Sequence, residues 1–359
     1  MCICETMTPE TTTTGDFSER MAQMINNAGL ALMTSVGHRT GLFDTMATIP
    51  PAASGVIAKA AGLNERYVRE WLGAMVSGQI VTYDAETKTY ALPPEHAALL
   101  TRNAAPNNFA AVTQFIAVLG GVEDRIVECF REGGGVSYSE FPRFHAVMAE
   151  ESDQTVASSV VETILPLAGD IIERLQAGID VLDVGCGRGH ALLTMATAFP
   201  RSRFCGYDFC EEAIAHAQAL ATERGLANIR FAVRDVATLR DTEAFDFITA
   251  FDSIHDQAAP AKVLANIQRA LRAGGTFLMQ DISGSSHVEK NADNAMAPFM
   301  YTVSCMHCMS VSLAQGGEGL GAMWGREKAQ EMLRDAGFVT VAIRNLAHDI
   351  LNDYYVIHK

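Results

Sequence analysis

The stretch Val181-Leu182-Asp183-Val184-Gly185-Cys186-Gly187-Arg188-Gly189 limits what this chain can fold into more than any other segment. An apolar run ends there in a glycine turn, and an apolar helix follows, so the segment reads as a buried strand, a tight bend and a helix start. Glycines at 185 and 187 place no side chain in the bend, which lets backbone approach a ligand closely. From Ile179 onward strands alternate with helices, the mark of a parallel sheet. The strand segments are 180–184, 203–208, 228–233, 245–251, 276–280, 339–345 and 354–358. No crossover helix fits between the last two, so the final strand should enter antiparallel through a hairpin. The expectation is an α/β fold, a seven-stranded doubly wound, Rossmann-like sheet with a C-terminal antiparallel hairpin.

The preceding half reads differently. Ser54 is expected to cap a short helix, Gly62 to turn the chain, and Asn64 to cap a second helix carrying Tyr67, Val68, Trp71, Leu72 and Met75 on helical spacing. Gln79–Tyr83 and Thr89–Leu92, joined by a polar turn, read as a hairpin, so the whole is a mainly α winged-helix domain. With 359 residues the chain is long enough for two cores. The expected division is a flexible tail over 1–16, the winged helix over 17–101, a helical connector contributing to a substrate pocket over 102–177, and a ligand-binding domain over 178–359, with an insertion at 283–324.

No segment has the charged and apolar regions of an export signal or the length of a membrane span, so a cytoplasmic location is expected. The eight cysteines are then free thiols and not a disulfide framework. A formal charge of -15 repels a phosphate backbone on average, which argues against a nucleic-acid partner.

Acidic residues follow the strands at regular places. Asp183 lies two residues before the first glycine, and Tyr207-Asp208-Phe209 ends the next strand about 20 residues past the loop, where such folds carry a ribose-binding acid. Asp235-Val236 follows the third strand and Phe251-Asp252 ends the fourth. A carboxylate accepts two hydrogen bonds, which suits a ribose diol or a cationic amine. A nicotinamide dinucleotide site would want Gly-x-Gly-x-x-Gly, but His190 stands at the last position and the acid before the loop has no task there.

On these residues, Ile179 to Lys359 resembles the class I S-adenosylmethionine-dependent methyltransferases. The resemblance implies S-adenosylmethionine as cofactor, with Asp183, Gly185, Cys186 and Gly187 around its methionine part. It also implies Asp208 and Phe209 at the ribose, Asp235 and Val236 at the adenine, and Phe251 and Asp252 beside them. Ile254-His255-Asp256, at the carboxyl edge of the sheet, looks like the His-Asp motif of plant-type and bacterial small-molecule O-methyltransferases. By that likeness His255 is the general base, Asp256 assists it or meets the substrate, and Asp281 is the acid after strand five; Gln257 stands where a tryptophan is common. Those enzymes also carry a winged-helix domain used for dimerisation.

Phe299, Met300, His307 and Trp324 of the insertion, with Phe141 and Phe144 ahead of the sheet, are expected to line the acceptor pocket; ordinary packing is the competing reading. Cys305-Met306-His307-Cys308 puts two thiols one helical turn apart with a histidine pointing elsewhere, and no second ligand pair exists, so no metal is expected. The leading expectation is O-methylation of a small apolar or aromatic hydroxyl compound, with N-, C- or S-methylation as the alternative. A homodimer through Leu42, Phe43, Met21, Leu30 and Leu32 is expected. A cofactor-binding DNA regulator is the reading from a different class, and a scaffold without activity a third. Ser54 to Ala91 holds four basic and four acidic residues, however, which does not make a DNA-reading surface.

Overall fold

A computed structural model describes residues 13–104, 106 and 108–359. Most of the expected tail, with Cys2 and Cys4, lies outside the described residues. The chain divides into two compact units, residues 13–104 with 108–117, and residues 118–359. The stretch 102–177 is therefore shared between them.

The first unit opens with α1 (Thr14–Arg39), whose start is fixed by Thr13 and Asp16 bonding each other's backbone N–H in a capping box. Helices α2 (Leu42–Thr48), α3 (Ser54–Ala61) and α4 (Glu65–Ser77) follow, then a hairpin of β1 (Thr82–Asp84) and β2 (Thr89–Ala91). Asn64 caps α4 by accepting from Arg66 N–H, and Val68, Trp71, Leu72 and Met75 are buried as their spacing requires. Ser54 is not a cap. Ala53 holds that position, and the Ser54 hydroxyl donates to Glu65 at 2.7 Å. Nor does the first hairpin strand start at Gln79, which is left-handed (φ 60°) while Ile80 and Val81 N–H return to the Met75 carbonyl and close the helix. Leu42 (2% exposed) and Phe43 (0%) belong to this unit's own core, so neither is available to a dimer face.

The second unit is built on β3 (Asp180–Val184), β4 (Arg203–Asp208), β5 (Ile229–Val233), β6 (Phe245–Phe251), β7 (Leu271–Ile282), β8 (Thr340–Leu346) and β9 (Asp349–His358). The sheet order is β5-β4-β3-β6-β7-β9-β8, with β9 antiparallel to both neighbours and the other pairings parallel. One apolar core covers each face, centred on Ile248 and Phe277 on one side and on Phe247 and Leu278 on the other. Strand β9 begins five residues earlier than the apolar run suggests. Its start carries three buried polar residues, Asp349, Asn352 and Asp353, with Tyr354 Oη donating to Asp349 and Arg326 paired with Asp353. Strand order reverses between β3 and β6, which places a ligand crevice at the carboxyl ends of those two strands. The insertion is α-helical in its middle, at Ala297–Val303 and Met309–Ala314 joined by a π-helical turn at Ser304–Cys308, with 3₁₀ turns at Val288–Asn291 and Ala322–Trp324.

Candidate functional site

A cavity opens at that strand reversal. Its wall holds Asp183, Gly185, Cys186, Gly187, Asp208, Phe209, Val236, Phe251, Asp252 and Asp256 from the sheet edge, and Tyr138, Phe144, His145 and Met148 from the segment before it. Gly185 and Gly187 are both left-handed (φ 68° and 51°). A Cβ on Gly185 would meet Ser253 at 2.5 Å, whereas one on Gly187 would stand in open space, so the first glycine serves packing and the second the bend.

Asp208 holds this bend in place. Its Oδ2 accepts from Gly187 N–H at 2.9 Å and its Oδ1 from Cys210 N–H at 2.8 Å. Asp183 is buried and accepts from Thr249 Oγ1 at 2.7 Å, and burial pushes its carboxyl up to about 7. Burial also raises Cys186 well above an ordinary thiol, which fits an inert filler of the loop. Asp235 is not brought into the wall. It caps the turn Val236–Thr238 by accepting from Ala237 N–H, and its neighbour Val236 faces the cavity instead.

The segment after β6 starts with strain, since Asp252 is left-handed (φ 52°). Burial raises its carboxyl to about 7, and the nearby His255 acts against that shift. His255 is 2% exposed and lies behind the wall. Its Nδ1 is 2.8 Å from Asp281 Oδ1, and the thiol of Cys308 is a second hydrogen-bond partner. Burial alone would lower the imidazole, but the charge and hydrogen bond of Asp281 outweigh it, and the net shift is well upward. Burial keeps Cys308 protonated by raising its thiol. Asp281 Oδ1 also accepts from Ile282 N–H (2.8 Å) and Trp324 Nε1–H (2.9 Å). Asp252, His255 and Asp281 bring ligand atoms within 4.8 Å of one another; three donors share Asp281 Oδ1, while Asp281 Oδ2 and Asp252 Oδ1 have no hydrogen-bond partner among the described residues.

Asp256 reaches the cavity beside Asp252 and accepts from Tyr138 Oη–H. Burial raises its carboxyl to about 6. His307 stacks on Phe144 with centroids 3.5 Å apart and meets Phe141 edge-on at 4.8 Å. Burial holds His307 well below the usual imidazole range, so it is neutral, and it packs against Phe144 and Phe141 without itself lining the cavity. Phe141, Met300 and Trp324 are buried behind the cavity; neither they nor Phe299 line it. Tyr138 was not singled out from the sequence. It sits in an irregular stretch after Gly133–Gly135, where no periodicity marks an inward-facing residue.

A largely parallel sheet with a glycine bend, strand-end carboxylates and an imidazole–carboxylate pair behind the cavity defines an open α/β protein with a ligand crevice at its strand reversal. Residues 175–337 match the profile of a methyltransferase domain, and residues 28–102 that of an Rv2258c-like winged HTH domain. The chain thus joins a winged-helix domain to a class I S-adenosylmethionine-dependent methyltransferase domain. The malonyl-acyl-carrier-protein O-methyltransferase of Bacillus cereus is 26% identical over 160 residues, covering 45% of this chain and 54% of its own length. The chain therefore spans about half the length of that curated relative. Human N-acetylserotonin methyltransferase, solved with S-adenosylmethionine, superposes with a TM-score of 0.71 at 14% identity over 98% of this chain and 99% of its own. Mitomycin 7-O-methyltransferase gives 0.70 at 17% identity over 98% and 100%. At such identities these structures speak to the fold. No helix among the described residues is long and apolar enough to cross a membrane.

Proposed function

We propose that this chain methylates a hydroxyl group of a small apolar or aromatic compound, with His255 as general base. The observation that carries the reading is the glycine bend tied to Asp208, with Asp183 buried beside it and the His255–Asp281 pair two strands away. The residues fit the cofactor: the bend leaves room at Gly187, and Asp183 and Asp208 offer carboxylate oxygens to an amine and a diol. The cofactor supplies a methyl group already activated on a sulfonium. What the protein must add is alignment of the acceptor and removal of its proton. Asp281 accepts the Nδ1 proton of His255 and so fixes the ring, leaving the other nitrogen to take the acceptor's proton. Asp256 faces the cavity itself and is placed to orient the acceptor hydroxyl.

One observation favours a second reading, in which an amine, thiol or carbon is methylated by proximity alone: His255 lies one layer behind the cavity wall, against Cys308. Incubating the purified chain with methyl-labelled cofactor and a panel of phenols, amines and thiols separates the two. Label transfer to phenols that is lost in His255→Ala supports the base; transfer that survives this change supports proximity.

We infer also that the chain forms a homodimer through α1. Phe17, Met21, Met24, Ile25 and Leu32 are exposed on that helix at helical spacing, an apolar stripe that a second copy would cover.

A further inference from the structure

The acceptor side of the cavity is acidic and aromatic at once, and the arginines of the wall lie elsewhere. Tyr138 is its hub. The phenol hydroxyl donates to Asp256, while the ring is boxed by Phe144, His145, Phe209 and His307 at centroid distances of 6.2, 5.6, 5.4 and 5.1 Å. Anchored at both ends, it lines the cavity with its ring held in one orientation. Such a ring selects flat groups.

Charge sorts the two ends of the cavity. The wall contains two arginines and no lysine. Arg188 bonds Glu212 through Nη2 at 2.6 Å, and Arg234 lies over the Tyr207 ring, 4.8 Å from its centroid, with Nη1 3.4 Å from Asp241. Both follow the glycine bend or β5, on the cofactor side. On the acceptor side Asp252, Asp256 and Asp281 face a single imidazole, His255, which is 3.8 Å from Asp252 Oδ1 and pairs with Asp281. That leaves carboxylate in excess. Asp252 Oδ1 is buried and has no hydrogen-bond partner among the described residues.

We propose that Tyr138, Asp252 and Asp256 form an acceptor subsite that selects a flat aromatic compound bearing a protonated amine and rejects one bearing a carboxylate. This rests on the methyltransferase reading above and narrows its substrate class. A protonated amine would pair with the Asp256 carboxylate in the wall and gain from the ring faces around Tyr138. An anionic group would lose its water beside the Asp256 carboxylate, while Arg188 and Arg234 are engaged by Glu212 and Asp241 and His255 by Asp281, which is the repulsive element that makes a site specific.

The test is calorimetry on the full chain saturated with S-adenosylhomocysteine, using tyramine, 4-propylphenol and 3-(4-hydroxyphenyl)propanoate as amine, neutral and carboxylate probes. The amine should bind at least about tenfold tighter than the carboxylate. Asp256→Asn should shrink that ratio while leaving S-adenosylhomocysteine affinity unchanged. Tyr138→Phe should weaken all three probes and keep their order, and unchanged product affinity in each variant shows that the fold is intact. Equal affinity for the three probes, a reversed order, or no binding of the amine to the product complex overturns this inference alone. If S-adenosylhomocysteine itself does not bind the unmodified chain, it is the cofactor reading that falls, and this subsite with it.

Discussion

His255 Nδ1 lies 2.8 Å from Asp281 Oδ1, joining the segment after β6 to the end of β7 with the imidazole 2% and the carboxylate 0% exposed. Such a pair is held by its burial as much as by its charge, since neither group has water to turn to. Trp324 Nε1–H and Ile282 N–H fix the carboxylate, so the ring's orientation is decided by residues that never meet the acceptor.

Replacing Asp281 by Asn should therefore cost activity without costing cofactor. An amide oxygen can still accept from Trp324 and Ile282, but the charge that holds the imidazole upward is gone. We expect kcat to fall by about 10²- to 10⁴-fold, the range typical of lost acid–base assistance. S-adenosylhomocysteine affinity, measured by calorimetry, should stay within error. A fall in affinity that matches the loss in kcat would mean that Asp281 supports the fold and not the base.

The same pair sets a pH dependence. Asp281 raises the His255 pKa well above its ordinary 6.5, so the ring holds its proton at neutral pH and must lose it to act as a base. Activity with a phenolic acceptor should rise with pH through that raised value. In Asp281→Asn the rising limb should move to lower pH, even though the plateau is far lower. A limb that stays in place in the variant would assign it to another group that faces the imidazole, Cys308, Asp252 or Asp256.

How much of this was legible beforehand depended on whether a residue's role lies along the chain or across it. The glycine bend, Asp183 and Asp208 were readable because strand, loop and helix follow one another, and their spacing is the geometry. The antiparallel entry of β9 was readable from the missing crossover. By contrast, the polar start of β9 was hidden, because Asp349 and Asp353 are satisfied by Tyr354 and Arg326, partners that no pattern of apolar residues announces. Tyr138 was missed for the same reason, its partner Asp256 being 118 positions away. Phe43 and Leu42 were misread as interface because an apolar turn looks alike whether its own core or a second chain covers it; here Phe43 packs edge-on against Trp71 at 5.2 Å.

Asp183 should trade stability for binding. Burial lifts its pKa from 3.8 to about 7, so the folded protein holds a proton that the unfolded chain releases. A raised carboxyl pKa penalises folding progressively as pH rises from about 4 to about 7, and the full penalty remains above that. Asp183→Asn keeps an acceptor for Thr249 and removes the penalty. The variant without ligand should gain on the order of 1–3 kcal/mol at pH 8, with little change at pH 4. Thermal melts at the two pH values check this. Glu151, raised to about 8 by burial, and Asp252, raised to about 7, keep part of the wild-type pH slope in the variant. Cofactor affinity should drop in the same protein, and a variant that was neither more stable nor weaker in binding would remove Asp183 from the site.

The exposed stripe of α1 leads to the last expectation. From Thr14 to Gly29 every residue is exposed, so four turns of helix are held by their own hydrogen bonds and the cap at Thr13. A helix that long is marginal in water by propensity alone, and it carries Asn26, Asn27 and Gly29 within it. On the dimer proposed above, what makes it persist is burial of Phe17, Met21, Met24 and Ile25 against a second copy, the occupant that a symmetric, self-complementary patch most simply takes. Met24→Glu with Ile25→Glu would set four like charges into a two-fold contact. Sedimentation of the unmodified chain at micromolar concentration should give a dimer, and of the double variant a monomer. Circular dichroism should then show about three to four turns of helix lost, because the stripe no longer has a partner. A wild-type chain that sediments as a monomer with its helix content intact would show that α1 stands alone, and the dimer would have to be abandoned.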